Sequence, residues 1–242
     1  MRAALLRVDG VSKRFGGFTA LQDISVDIRA GERFGLIGPN GSGKTTLINC
    51  ISGVLASDGG SIEFDGQDVT RLPAYRRTRR GIARSFQVPR PFRTMSVLEN
   101  LLVAIDFGVE GHGLSDEKAT AEVMAILDKI GLADKARASS GQLSQVELRK
   151  MELARAMAAR PKLLISDEAM AGLAGAEVDE VLDVLLKLNA EGITVIMIEH
   201  IMQAVMRFSE RVMCLDAGRI VCEGTPAQVM DDKRVQEAYL GA

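Results

Sequence analysis

Two runs near the start of the chain, Leu5-Leu6-Arg7-Val8 and Leu21-Gln22-Asp23-Ile24-Ser25-Val26-Asp27-Ile28, alternate apolar and polar positions. Period-two alternation buries one face of a strand and leaves the other to water, which predicts antiparallel strands. Between them, Lys13-Arg14-Phe15-Gly16-Gly17-Phe18 reads as a turn carrying two aromatics, and Ser61-Ile62-Glu63-Phe64-Asp65-Gly66 as a further strand and turn. Other runs are apolar almost throughout. Arg33 to Ile37, Lys162 to Glu168 and Thr194 to His200 read as strands buried on both faces, and Ile82 to Phe86 as a strand ending at Gln87. The 3.6-residue period takes over after Val88-Pro89-Arg90-Pro91-Phe92-Arg93, which has two prolines and cannot be a regular element. Ser96 with Glu99 forms a capping box for a helix carrying Leu98, Leu101, Leu102 and Ile105. Val123, Ile126, Leu127 and Ile130 mark a second helix stopped by Gly131, and Ser144 starts a third, through Ala159, that Pro161 ends. Ala176 to Ala190 is another amphipathic helix, and Val212 to Glu223 a hairpin. The basic stretch Tyr75-Arg76-Arg77-Thr78-Arg79-Arg80 reads as a solvated helix face. The pattern is that of an α/β protein with a mainly parallel sheet, an N-terminal antiparallel β sub-domain and an inserted α-helical sub-domain over residues 88–160, the core being 1–87 and 161–242.

Composition narrows the partners. The net charge of −2 leaves no basic footprint for nucleic acid, so none is expected as a partner. Cys50, Cys214 and Cys222 have no metal-ligand spacing and read as thiols, although Cys214 and Cys222 flank a turn and face each other across the hairpin. No apolar run approaches a membrane span, so any action at a membrane needs another chain to cross it.

The chemistry is concentrated at Gly38-Pro39-Asn40-Gly41-Ser42-Gly43-Lys44-Thr45-Thr46, which fits G-x-x-x-x-G-K-[ST] between a strand and a helix. Glycines allow successive N–H groups to turn inward toward phosphate oxygens, and a helix N-terminus favours the same anion. Lys44 suits the β- and γ-phosphates of ATP, and the Thr45 hydroxyl suits Mg²⁺. Ligands of open parallel sheets sit beyond the carboxyl ends of the strands. Gln87, Asp167, Glu168 and His200 all stand at such ends and are expected to converge on the γ-phosphate. Asp167 is the candidate Mg²⁺ ligand, Glu168 the general base and His200 the contact to developing charge.

These residues, in this order, resemble the ATP-binding subunit of an ABC transporter, a P-loop NTPase, over essentially the whole chain taken as a single domain. More narrowly the chain is similar to the branched-chain amino acid importer group. The shared stretches include Arg14-Phe15-Gly16-Gly17, Ser85-Phe86-Gln87, Met95 to Asn100, Met151 to Ala156, Ile198 to Met202, Glu223-Gly224-Thr225-Pro226 and Tyr239-Leu240-Gly241. The resemblance implies that Phe15 stacks on adenine and that Gln87 joins Thr45 and Asp167 at Mg²⁺. It also implies two ATP-binding subunits closing head to tail over ATP, permease subunits docking near residues 88–95, a separate solute-binding protein, and a peripheral place on the cytoplasmic face of the membrane.

The chain departs from the family pattern where the signature Leu-Ser-Gly-Gly-Gln is expected. The slot holds Leu143-Ser144-Gln145-Val146-Glu147; Ser139-Ser140-Gly141-Gln142 is closer in spelling but lies five residues too early. Ser144, Gln145, Val146 and Glu147 would face the partner's ATP, with a branched side chain and a negative charge where backbone and phosphate should meet. Ala169 stands in place of the usual Pro, and Gly172-Leu173-Ala174-Gly175 lacks the expected polar residue. The expectation is an asymmetric pair, with a heterodimer favoured over a homodimer. Competing readings are a soluble ABC ATPase outside transport, and a nucleotide-binding regulatory subunit with little turnover.

Overall fold

The computed structural model describes residues 4–86, 88–108 and 115–240. β1 (Ala4–Phe15) and β2 (Phe18–Arg29) pair antiparallel, with Leu6 opposite Ile28 and Val8 opposite Val26. The ladder outruns the apolar alternation. Lys13, Arg14 and Phe15 belong to β1 rather than to a turn, Phe15 lies opposite Phe18, and the connection shrinks to Gly16-Gly17. Gly16, at φ 56°, allows that tight reversal. The chain then leaves through β3 (Arg33–Ile37), and returns as β4 (Gly59–Phe64) and β5 (Gln67–Asp68) to give the order β2-β1-β4-β5.

The second sheet collects β3 with β6 (Ile82–Ser85), β7 (Leu163–Asp167), β8 (Thr194–Ile198), β9 (Arg211–Asp216) and β10 (Arg219–Gly224), in the order β10-β9-β3-β8-β7-β6. All are parallel except the hairpin partner β10. The continuous apolar strands are explained by their two covers. Leu163 and Ile165 pack with Leu6, Ile24, Phe64, Leu47 and Ile48, while Leu164 and Val195 pack with the helical part. That part comprises α3 (Val97–Gly108), α4 (Asp116–Lys129) and α5 (Gln145–Ala158), which bury Leu101, Ile105, Val123, Leu127 and Met151 together. The capping box at α3 is present: the Ser96 amide donates to Glu99 Oε2 at 2.7 Å and the Glu99 amide to Ser96 Oγ at 3.2 Å. α6 (Gly175–Ala190), α7 (Met202–Phe208), α8 (Pro226–Asp231) and α9 (Lys233–Leu240) complete the chain. Cys214 and Cys222 lie opposite in the β9–β10 register as free thiols.

Two expectations need correction. The strand expected to reach His200 stops at Ile198, and the one expected to reach Glu168 stops at Asp167. Glu168 turns out of the sheet at φ 47° while its amide still donates to the Ile198 carbonyl at 2.9 Å. The basic stretch is α2 (Ala74–Arg79), flanking α1 (Lys44–Ser52), but it is not wholly a solvated face. Arg77 is 1% exposed. Its guanidinium donates to the carbonyls of Cys50 (2.7 Å), Ile51 (2.8 Å), Leu72 (2.8 Å) and Thr70 (2.8 Å). The first two belong to the last turn of α1, whose carbonyls lack helical partners and carry the negative end of the helix dipole. Arg77 therefore fixes the far end of the helix whose near end faces the phosphate loop. Replacing it with Ala removes four hydrogen bonds, two of them buried, and leaves a void, so Arg77→Ala is expected to lose about 3–4 kcal/mol, read from the urea midpoint at constant slope.

Candidate nucleotide-binding site

The loop between β3 and α1 can close only with glycine at its bends. Gly38 has φ 146°, and a Cβ there would stand 2.1 Å from the Leu215 carbonyl oxygen. At Gly43 (φ 108°) a Cβ would stand 2.7 Å from the Ala20 carbonyl oxygen. The loop is also gripped from outside. The Gly218 amide in the β9–β10 turn donates to the Ser42 carbonyl at 3.0 Å, and the Gly38 amide donates to the Tyr239 hydroxyl at 2.7 Å. Lys44 threads back through the loop, its Nζ donating to the carbonyls of Gly38 (2.7 Å) and Pro39 (3.0 Å). Burial draws this ammonium below its ordinary range, against the opposing pull of Glu168. Ser42 Oγ is buried with no protein partner. A curled loop with a buried cation and a spare hydroxyl fits a phosphate chain.

Above the loop opens a shallow cavity of about 260 Å³, lined by Phe15, Phe18, Ala20, residues 40–46 and Glu168. The sequence pointed to Phe15; Phe18 reaches the same cavity because the glycine turn sets the two rings opposite each other. At the strand ends, Glu168 Oε1 lies 2.9 Å from His200 Nε2. The left-handed backbone of Glu168 costs about 1–3 kcal/mol, a strain typical of functional positions. Asp167 Oδ2 accepts from Arg84 Nη2 at 2.6 Å, and Arg84 Nη1 donates to Asn49 Oδ1 at 2.6 Å. Thr45 is exposed in the first turn of α1. The Thr45 hydroxyl and Asp167 carboxylate are hard oxygen donors of the kind Mg²⁺ takes beside substrate phosphates. Among the described residues no three His, Cys, Asp or Glu side chains gather into a metal-binding group. Gln87 and Gly241 lie outside the described residues.

Periodicity missed three contributors: Arg84, Tyr239 and Glu199. Glu199 is 2% exposed, and its Oε1 accepts the Met170 amide at 2.9 Å. It ties the end of β8 to the segment that follows Glu168. Burial pushes its carboxyl up to about 7.

The signature slot is more self-contained than its spelling suggests. Ser144 caps α5, its Oγ accepting the Glu147 amide at 3.3 Å, while Glu147 Oε2 accepts the Ser144 amide at 2.8 Å. Glu147 also pairs with Lys135, which holds its carboxyl below the usual range. Its charge is spent inside the chain rather than left free at the helix end, and Val146 packs toward the core.

A phosphate loop, a parallel sheet and an inserted helical part together define an ATP-binding cassette. Residues 21–171 match the ABC transporter family model, and residues 219–242 match a model described as branched-chain amino acid ATP-binding cassette transporter. The chain is 35% identical to a high-affinity branched-chain amino acid transport ATP-binding protein, BraF of Pseudomonas aeruginosa, and 36% identical to LivG of Escherichia coli. Each alignment covers 100% of this chain and 99% of the relative. Among solved structures, a nucleotide-free ATP-binding cassette from an ABC transporter superposes with a TM-score of 0.91 at 32% identity, covering 99% of this chain and 100% of that one. A cassette in its ADP conformation gives 0.91 at 33%, covering 99% and 100%. A dimeric bacterial cassette gives 0.82 at 26%, covering 91% and 98%. The chain belongs to the ABC transporter family, as one of its ATP-binding ATPase subunits.

Two consequences are measurable. Folding raises the Glu199 carboxyl from 4.5 to about 7, so the native state binds its proton more tightly. The stability from this group is full below the lower value and is lost as pH rises through the upper one. Glu199→Gln keeps an acceptor for the Met170 amide and removes the titration. Its urea stability relative to the parent should therefore rise between about pH 5 and about pH 8. Tyr239→Phe removes the partner of the Gly38 amide; hydrogen exchange there should accelerate by about fivefold, the equivalent of about 1 kcal/mol.

Proposed function

We propose that this chain hydrolyses ATP to drive an importer of branched-chain or related amino acids. The observation that carries the reading is the Glu168–His200 pair, whose Glu168 lines the phosphate-loop cavity. Loop amides and Lys44 bind the phosphates, and Phe15, with Phe18 beside it, offers a face for adenine. Thr45, Asp167 and Gln87 hold Mg²⁺, whose chemistry is to neutralise phosphate charge. Glu168 takes the proton of the attacking water, and His200 orients Glu168 and meets charge at the γ-phosphate. The full-length likeness to branched-chain amino acid transport proteins supports the substrate class.

A second ATP-binding subunit completes the unit. A heterodimer is favoured, because Glu147 caps its own helix instead of leaving the Ser144 amide for another chain's phosphate. No helix among the described residues is long and apolar enough to cross a membrane. In the proposed assembly the chain works peripherally, on the cytoplasmic face, through permease subunits. The permease contact lies near residues 88–95 and the adjoining groove between α2, β6, α3 and α5, where Tyr75, Phe86 and Phe107 are exposed. A separate solute-binding protein selects the cargo.

The test is ATP turnover of the purified chain, alone and with a candidate second subunit. Glu168→Gln is expected to bind ATP and to lose turnover by about 10²-fold or more. Full turnover in that variant would rule out Glu168 as the base, and no nucleotide binding by the parent would end the ATPase reading.

A further inference from the structure

Arg84 stands between two parts of the molecule, the phosphate-loop site and a groove that the far end of α1, at Ser52, also reaches. On one side its guanidinium holds Asp167 Oδ2 at 2.6 Å and Asn49 Oδ1 at 2.6 Å. Asn49 lies in α1, which continues the phosphate loop. On the other side the same residue lines a cavity of about 370 Å³ together with Tyr75, Phe86, Phe107 and Arg155. Its guanidinium carbon sits 5.5 Å from the centroid of the Phe86 ring. The ion pair is well sheltered, with side-chain exposures of 11% for Arg84 and 9% for Asp167, so solvent screens it weakly. Arg84 Nε is buried without a hydrogen-bond partner. The guanidinium is therefore held at its tip by the nucleotide site and at its face by the groove.

We propose that Arg84 is a positioning residue that couples the nucleotide site to the groove, by aiming Asp167 at the phosphate loop while its own setting follows Phe86. This rests on the reading of Asp167 as a Mg²⁺ ligand and of the groove as the permease contact. A cation arriving at Asp167 competes with Arg84 for the carboxylate and repels the guanidinium. The guanidinium then shifts under Phe86 and changes the groove wall. Coupling is reciprocal, so an occupant that moves Phe86 alters the hold on Asp167. The planar fork matters here. It reaches two acceptors at once, which a lysine ammonium cannot do from one position.

The chain contains no tryptophan, so Phe86→Trp supplies a single fluorophore on the groove side. In a Glu168→Gln background, which prevents turnover, Mg²⁺ with ATP is expected to change its emission. Adding Arg84→Lys, which keeps the charge, should abolish that change and, read from the Mg²⁺ dependence of binding of a fluorescent ATP analogue, shift the half-saturating Mg²⁺ concentration by about fivefold or more, the lower end of ordinary coupling. An unresponsive tryptophan with Arg84 intact, an undiminished response in Arg84→Lys, or an unmoved half-saturation would each overturn the proposal. Should Arg84→Lys fail to fold, Arg84→Gln removes the charge that a cation at Asp167 would repel and breaks the ion pair; loss of the response is expected there, and a retained response overturns the coupling. Binding of a fluorescent ATP analogue is followed in parallel. Binding with a silent tryptophan defeats only the Arg84 link, whereas no binding in the parent defeats the ATPase reading with it.

Discussion

A phosphate chain brings several negative charges to one short stretch of backbone, and that stretch must close so tightly that side chains are excluded. The 2.1 Å approach of a hypothetical Cβ at Gly38 to the Leu215 carbonyl measures how tight. The neighbouring elements follow from this requirement. β9 must lie beside β3 to bring Leu215 there, the β9–β10 turn must fold over Ser42, and α9 must return to set Tyr239 against Gly38. α1 starts at the loop, and its opposite end is closed by the buried guanidinium of Arg77. A charge far from the nucleotide thus steadies the helix that receives it.

Much of this was legible in the sequence because it is local. The phosphate loop, the capping box at Ser96 and the buried β7 and β8 depend on residues close together in the chain, and their periods and spacings announce them. The contributors that escaped are long-range. Arg84 meets Asp167 across 83 positions, and Arg77 meets Cys50 across 27. A basic residue in a run of basic residues carries no mark of burial, and an arginine within a four-residue strand carries no mark of what it will pair with. Glu199 was visible only as part of a stretch resembling relatives; its burial against Met170 needed the fold. Strand ends were overextended by one or two residues because an acidic residue just past the sheet looks like its last member.

The signature slot shows how spelling and structure diverge. Read as letters, Glu147 places a negative charge where another subunit's phosphate is expected. In three dimensions the carboxylate closes its own helix end and pairs with Lys135. The helix terminus is satisfied internally, which stabilises α5 while reducing what it can offer outward. The substitution is therefore coherent within this chain, and the pairing of unlike subunits proposed above rests on it.

The contact between Tyr239 and Gly38 also has a consequence in time. The two residues are 201 positions apart, and synthesis at 5–20 residues per second separates them by about 10–40 s. Through that interval the nascent phosphate loop has its glycines, its lysine and its helix but not the hydroxyl that receives its first amide. The nucleotide site is thus begun early and finished late. Any helper that guards the emerging chain has that interval in which a half-made site stands open to the nucleotides around it.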